Sequence, residues 1–91
     1  MSAAALLTAL VVVHGTVTLD GKPARHALLE FTRFAHITLV TTDGRGRYAT
    51  RLSPGMWNVG VVRATSWTPT RFVVRPGART LRRDFVCSSG P

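Results

Sequence analysis

Two tight turns separated by one short extended stretch limit what this chain can fold into more than any other feature. Asp43-Gly44 ends one extended stretch, Tyr48 begins the next, and Pro54-Gly55 leads into a third that carries Trp57. Asp-Gly and Pro-Gly pairs are typical of tight turns, because glycine readily adopts a positive φ and proline fixes φ near about −65°. Short aromatic strands joined in this way predict a small antiparallel β-sandwich.

Apolar and polar residues alternate from Val11 onward, which is the pattern of strands with one buried face. Glycine- and proline-containing turns divide this region into about seven short strands. We therefore predict an all-β fold, a single seven-stranded antiparallel β-sandwich that is Ig-like or transthyretin-like. Its predicted bounds are 11–86, after a short apolar N-terminal arm at 1–10 and before a C-terminal tail at 87–91. Alternation places Leu29 with Phe31, Tyr48 with Leu52, and Trp57 with Val59 and Val61 on shared faces, and Leu81 and Phe85 are expected on the inner face.

The N-terminal arm is apolar but differs from a secretion signal. No Lys or Arg precedes the uncharged stretch Ala3–Val13, and no small-residue cleavage site follows it. It is also too short to cross a bilayer as a helix, which takes about 20 residues. We expect no signal peptide and no membrane insertion, and the arm is either a short helical turn capped by Ser2 or an extended segment.

The chain has 91 residues, of which 45% are hydrophobic, and a single cysteine, Cys87. Disorder needs lower hydrophobicity, so the chain is expected to fold as one small domain. One cysteine allows no internal disulfide, whereas small secreted domains usually carry several. These features favour a protein that works inside the cell or inside an assembly.

Net charge is +8, carried by arginine far more than by lysine. The arginines form two groups in sequence: Arg45, Arg47 and Arg51, and then Arg75, Arg79, Arg82 and Arg83. They are either a solvated face that protects sheet edges or an electropositive patch that binds acidic protein or nucleic acid. A GC-rich genome would also enrich arginine over lysine, so the sequence leaves the choice open.

Several motifs together resemble a known family. They are Gly15-Thr16-Val17 with Gly21-Lys22-Pro23, then Thr42-Asp43 with Gly46-Arg47-Tyr48, then Pro54-Gly55-Met56-Trp57, and finally Trp67 with Pro69. The chain from about Val11 to Val86 resembles the carboxypeptidase regulatory-like domain, a transthyretin-like (prealbumin-like) sandwich. Trp57 stands where that family carries a tyrosine.

The resemblance implies an accessory domain without catalytic activity, because the zinc chemistry of metallocarboxypeptidases lies in another domain. Related transthyretin-like hydrolases use catalytic histidines and a C-terminal Tyr-Arg-Gly-Ser. This chain ends in Cys87-Ser88-Ser89-Gly90-Pro91, so that activity is not expected.

The residues themselves also argue against an enzyme. His14, His26 and His36 lack the close spacing that usually anchors a zinc site, and Cys87 has no histidine beside it in sequence. Asp43-Gly44-Arg45-Gly46 lacks the carboxylates of a calcium loop and the lysine of a P-loop, and is interpreted as a hairpin turn. We expect no catalytic residue, no metal and no cofactor.

The two tryptophans offer a weak indication of ligand binding. Trp57 is in phase with Val59 and Val61 and is expected in the core. Trp67 lies near Pro69 in a predicted loop, where it either covers the end of the sandwich or stacks on a sugar.

These observations favour a non-catalytic structural subunit that binds other subunits of a large assembly, including copies of itself. The most concrete version is a bacteriophage virion protein, a tail or capsid accessory component assembled in the cytoplasm. The candidate partner-binding residues are Leu6, Leu7 and Leu10 in the arm, with Arg79, Arg82 and Arg83 as a polar rim. A basic module that binds nucleic acid and a carbohydrate-binding accessory domain are the alternatives.

Overall fold

A computed structural model describes residues 9–90, and within that range it contains ten β-strands and no helix. The strands are β1 (Val11–Leu19), β2 (Lys22–Pro23), β3 (Leu28–Arg33), β4 (His36–Thr41), β5 (Arg47–Leu52), β6 (Gly55–Val61), β7 (Ser66–Thr68), β8 (Arg71–Val74), β9 (Thr80–Arg82) and β10 (Phe85–Ser88). They form a six-stranded and a four-stranded sheet whose inner faces share one core. The all-β, two-sheet prediction is confirmed.

β1 is the central strand of the six-stranded sheet. Its first half pairs antiparallel with β5, from Val11 opposite Leu52 to Thr16 opposite Arg47, and parallel with β9. Its second half pairs antiparallel with β2 and parallel with β10, which in turn pairs with β7. One strand therefore holds four others in place.

The four-stranded sheet is antiparallel throughout, in the order β4-β3-β6-β8. β3 and β4 form a hairpin in which Arg33 lies opposite His36, so that Phe34 and Ala35 make the turn. Alternation along these strands fixes which side chains are inside: Leu29 and Phe31 are buried, and their neighbours in sequence are turned outward.

Two details of the predicted sandwich are wrong. There are ten strands instead of seven, because β2 and β7 are very short strands and the expected last strand is divided into β9 and β10. The sheets are also not purely antiparallel. β8 belongs to the opposite sheet, so the chain crosses between sheets before β9, and β9 and β10 then run parallel to β1.

The last strand continues through Ser88, beyond the boundary expected at residue 86. Cys87 is buried in the core and pairs with Trp67 of β7, so it belongs to the sheet and not to a tail. Ser89 then bonds Asp20 through both its backbone N–H and its hydroxyl. The end of the described chain is thereby held against the turn after β1.

Four aromatic rings form the centre of the core. Phe31 of the four-stranded sheet lies 5.8 Å from Tyr48 and 6.1 Å from Phe85 of the other sheet, measured between ring centroids. Phe72 meets Phe31 edge-on at 5.9 Å. Such pairs contribute about 0.5–1.5 kcal/mol each beyond the area they bury, so this cluster joins the two sheets.

A close crossing explains why the last strand is divided. The chain passes from β9 to β10 directly over Gly15, and a Cβ at that position would lie 2.2 Å from the carbonyl oxygen of Arg83. The Thr16 N–H donates to Asp84 Oδ1 at 2.8 Å, and the Tyr48 hydroxyl donates to the Arg83 carbonyl. Glycine is required here because the backbone of another segment occupies the space of a side chain.

The β4–β5 connection is fixed by a buried hydroxyl. Thr42 is almost completely buried; its Oγ1 accepts the N–H of Ala27 at 2.8 Å and donates to the carbonyl of Ala24. At the other end of the turn, Gly46 has φ +76°, and a Cβ there would lie 2.6 Å from the Val17 carbonyl oxygen. The turn therefore needs threonine at position 42 and glycine at position 46. The Thr-Asp turn is thus tied to the β2–β3 segment.

Candidate interaction surfaces

The described residues contain no cluster of three or more His, Cys, Asp or Glu side chains that could hold a metal ion. His14 lies on the outer face of β1, His26 in the loop before β3, and His36 at the start of β4. The structure therefore does not bring the three histidines together. Cys87 is buried, and burial raises the pKa of its thiol above the ordinary value.

The Asp43 turn binds its own backbone. Asp43 Oδ1 accepts the N–H groups of Arg45 and Arg47, each at 2.9 Å, and Oδ2 accepts from Arg47 Nε at 3.2 Å. The backbone N–H of Arg47, followed by that of Arg45, lowers the pKa of this carboxyl group below its ordinary value. The carboxylate thus builds a tight turn, but the predicted hairpin is wrong, because β4 and β5 belong to different sheets and do not pair.

Both tryptophan indoles bond backbone carbonyls. Trp57 is buried, as predicted, and its Nε1 donates to Ser53 at 2.9 Å. Trp67 lies in β7 and not in a loop; it is half-buried against the core, and its Nε1 donates to Val59 at 2.9 Å. Trp67 therefore links β7 to β6 of the opposite sheet, and its Nε1 already has a hydrogen-bond partner.

The topology brings one arginine from each of the two sequence groups onto the same outer face. Arg51 lies opposite Val12, and Arg82 lies opposite His14 on the other side of β1. Neighbouring strands are about 4.8 Å apart, and two residues along a strand span about 6.8 Å. Because Arg51 and Arg82 lie on opposite sides of β1 and two residues out of register, their Cα atoms are roughly 12 Å apart. Asp84 offsets part of this charge, since it accepts from Arg82 Nε at 3.3 Å.

The three candidate rim arginines lie in different surroundings. Arg79 and Arg82 are exposed, as a polar rim requires. Arg83 is half-buried, with its guanidinium 5.7 Å from the centre of the Phe72 ring and its Nε buried without a hydrogen-bond partner in the described structure. Arg83 thus packs on the core and does not extend into solvent with the other two.

Of the arm residues predicted to bind a partner, Leu6 and Leu7 lie outside the described residues, and Leu10 lies inside them. Leu10 is half exposed and lines a cleft of about 470 Å³ together with Arg79. The rest of the cleft wall is Ala9, Val11, Pro54, Pro76, Gly77 and Ala78. The structure therefore places one predicted arm contact beside one predicted rim residue.

A second groove, of about 540 Å³, is strongly basic. Lys22, Arg25, His26 and Arg63 line it, above an apolar floor that includes Leu28. No acidic residue contributes to its wall. Two of the lining residues, His26 and Arg63, have positive φ values of 53° and 75°, which non-glycine residues rarely adopt.

Sequence reasoning missed the most unusual surface. The outer face of the four-stranded sheet exposes four large apolar side chains, Ile37 and Leu39 on β4, Met56 on β6 and Val73 on β8. We call these four residues the apolar face. Met56 lies directly opposite Val73, and a polar strip of Glu30, Thr32 and Asn58 separates this pair from Ile37 and Leu39. The available signal was Ile37-Thr38-Leu39-Val40, which is apolar on both faces of one strand.

Comparisons with known proteins bear on the fold alone. No protein family matches the chain, and no curated protein matches it. Among solved structures, the Bacillus anthracis TIE protein is similar over 87% of this chain, with a TM-score of 0.67 and 15% identity. A DUF3823 family protein from Parabacteroides merdae ATCC 43184 is similar over 86% of the chain, with a TM-score of 0.59 and 13% identity.

The chain spans 16% of the TIE protein chain and 45% of the DUF3823 chain. At such low identity the likeness shows a shared β fold alone. Within residues 9–90 there is no helix long and apolar enough to cross a membrane.

Proposed function

We propose that this chain is a non-catalytic subunit that binds other protein chains in a larger assembly. The observation that carries the proposal is the apolar face. Its four side chains are about half exposed or more, although each could have been polar without disturbing the core behind it. Large apolar side chains grouped on one rigid face typically mark a protein interface.

The composition of this face suits an interface better than a small-molecule site. Ile37 and Leu39 on one side, and Met56 and Val73 on the other, can bury apolar area against a partner. The strip of Glu30, Thr32 and Asn58 between them offers hydrogen bonds that fix the orientation of that partner. The sheet backbone beneath is rigid, so binding would cost little ordering of the main chain.

The concrete version is a bacteriophage virion component, with Leu10 and Arg79 at the adjoining cleft as further contacts. The motifs shared with carboxypeptidase regulatory-like domains support the proposal, since such sandwiches serve as accessory modules. In both similar structures the matching region is part of a longer chain, which supports a module that works beside other protein.

Site-specific photo-crosslinking tests the proposal. A photoreactive residue is placed at Val73 on the apolar face, and a matched one at Val86, which is exposed on the outer face of the other sheet. In extract of the native source we expect one discrete adduct from position 73, competed by unlabelled protein, and none from position 86. Equal or absent labelling at both positions would contradict a protein-binding apolar face.

The arm has its own test. The full chain is compared with a version lacking residues 2–10 for solubility and for entry into the native particle. We expect the shortened chain to be more soluble and to enter poorly. Equal entry of both versions would remove the arm from the proposal and leave the apolar face.

A second candidate function, binding of an anionic polymer such as nucleic acid, is favoured by the basic groove. Lys22, Arg25 and Arg63 converge on one concave surface without an opposing acid. Binding by cations releases counterions, so the logarithm of the affinity falls by about 0.9 per phosphate contact with the logarithm of salt concentration. Three contacts predict a slope of roughly −3 for duplex DNA.

Titration of DNA at two salt concentrations tests this candidate. Arg63→Ser is the groove variant, and Arg71→Ser, in the edge strand β8 and outside the groove lining, is the matched control. We expect the groove variant to reduce the slope by about 1 and the control to leave it unchanged. No binding at low salt would eliminate the candidate.

A further inference from the structure

β4 is an edge strand of six residues, and no strand pairs with its outer edge anywhere in residues 9–90. Such an edge presents a row of N–H and C=O groups that another strand can bond. From Ile37 to Thr41 it contains no charged residue, no proline and no glycine. Proteins usually protect an edge of this length with at least one of these features.

The other described edges are protected, either by extreme shortness or by an arginine, lysine or proline. The protecting residues are Lys22 and Pro23 in β2, Arg47 and Arg51 in β5, Pro69 after β7, Arg71 and Arg75 at the ends of β8, and Arg82 in β9. β7 is also free of charge, but it has only three residues, so β4 is the exception among the longer edge strands of the described chain. It is the place where the fold leaves an edge available for pairing.

The side chains along this edge are also exposed and apolar. Ile37 is 67% exposed, Leu39 is 57% exposed, and Phe34 at the tip of the β3–β4 hairpin is 94% exposed. Phe34 also has φ +53°, which is rare for a large side chain and concentrates at functional positions. The open backbone edge and the exposed apolar side chains therefore lie on the same hairpin.

We propose that β4 pairs antiparallel with β4 of a second copy of this chain across a two-fold axis. The two four-stranded sheets then become one continuous sheet of eight strands, and Ile37 and Leu39 of both copies lie side by side on its outer face. This inference rests on the proposed function in taking protein binding as the activity, and it names the partner and the strand.

A second copy fits this edge better than a charged partner. An acidic protein would be attracted to the arginine-bearing surfaces, whereas β4 offers it no charge to pair with. Antiparallel pairing of β4 with itself places uncharged residues opposite uncharged residues, so two basic chains meet where like-charge repulsion is smallest. The assembly is also closed, because the dimer uses the unprotected edge of each copy and leaves none for a third chain, so that no fibre forms.

Sedimentation equilibrium at about 150 mM salt, where long-range repulsion is screened, measures the association. We expect the wild-type chain to dimerise with a dissociation constant on the order of 1–100 μM, as suits a small interface. Leu39→Lys puts a charge on the pairing edge and is expected to weaken dimerisation at least about 30-fold. Val86→Lys, at an exposed valine in β10 of the other sheet, is the matched control and should leave the dimer intact.

Two further measurements keep the test decisive. Far-UV circular dichroism checks that Leu39→Lys is folded, and mixing it with Leu39→Glu should restore a dimer that neither variant forms alone. Hydrogen exchange should show concentration-dependent protection at alternate amides of β4, which docking through side chains would not produce.

A wild-type chain that stays monomeric up to about 500 μM would overturn the proposal. So would a dimer that Val86→Lys disrupts and Leu39→Lys does not. Neither result would touch the proposed function, because photo-crosslinking from Val73 tests binding to other proteins independently of self-association.

Discussion

Replacing Gly15 by alanine tests the central crossing of the fold. The added Cβ would lie 2.2 Å from the Arg83 carbonyl oxygen and 2.7 Å from Asp84 Oδ1, whereas ordinary contact begins at 3.4 Å. The β9–β10 connection must therefore move away by about 1 Å, and overpacking of this kind lowers the free energy of unfolding by about 1–3 kcal/mol. This movement also strains the bonds from Thr16 and Tyr48, each worth about 0.5–1.5 kcal/mol.

Alanine also reduces the conformational entropy of the unfolded chain, which stabilises the fold by about 0.4–1 kcal/mol. We therefore expect Gly15→Ala to lower the free energy of unfolding by about 2–4 kcal/mol in total. For a domain of this size that lowers the melting temperature by roughly 10–25 °C. The matched control is Gly44→Ala, because a Cβ there meets nothing within 4 Å and its φ is not positive. We expect the control to change stability by less than about 1 kcal/mol.

Urea unfolding, followed by tryptophan fluorescence and circular dichroism at pH 7, measures both variants. Trp57 reports the core, since its ring is buried. If Gly15→Ala proves no less stable than Gly44→Ala, the β9–β10 connection does not cross β1 as described, and the stated origin of the divided last strand is incorrect.

Three further outcomes are expected. Thr42→Val should cost about 2–4 kcal/mol, because it leaves a buried N–H and a buried carbonyl without partners, whereas the exposed Thr41→Val should be nearly neutral in the same urea assay. Cys87 should react with a thiol reagent at the rate of unfolding at pH 8, since burial both covers it and raises its pKa; labelling in the native state at the rate of a free thiol would contradict this. The backbone N–H of Thr16 lowers the pKa of Asp84 below its value of 3.8 in the unfolded chain. The hydrogen bond therefore stabilises the fold fully above pH 3.8, and this stabilisation is lost as the pH falls through the lower pKa of the folded state. In acid unfolding, Asp84→Asn should flatten that part of the pH dependence, and an unchanged profile would argue against the bond.

Local pattern was sufficient to predict the strands of the four-stranded sheet. Leu29, Phe31 and Trp57 are buried because alternation assigns each side chain to a face, and glycine or proline marks where each strand ends. A tight turn at Asp43 was predictable for the same reason, since the bonds of its carboxylate reach no farther than Arg47, but the turn joins two sheets and is not the predicted hairpin. These features depend on residues that are close in sequence.

Partners distant in sequence could not be predicted in this way. No residue close to β1 in sequence indicates that β10 runs parallel to it with Phe85 opposite Val17, because this pairing depends on the crossing of the chain between sheets. The apolar face escaped prediction for a related reason. Alternation identifies the buried side of a strand, but it does not show that Leu39 on the other side lacks a cover in the folded domain.

The central position of β1 has a consequence for how the protein is made. Of the described strands, β1 leaves the ribosome first, yet its ladder is completed only by β10, which follows all the others. Until then Val13 and Val17 have no finished core to enter, and native contacts of such long sequence separation form slowly. The nascent domain should therefore gain protease resistance in one step once β10 has left the ribosome, and ribosome-bound chains stalled before Phe85 should remain cleavable.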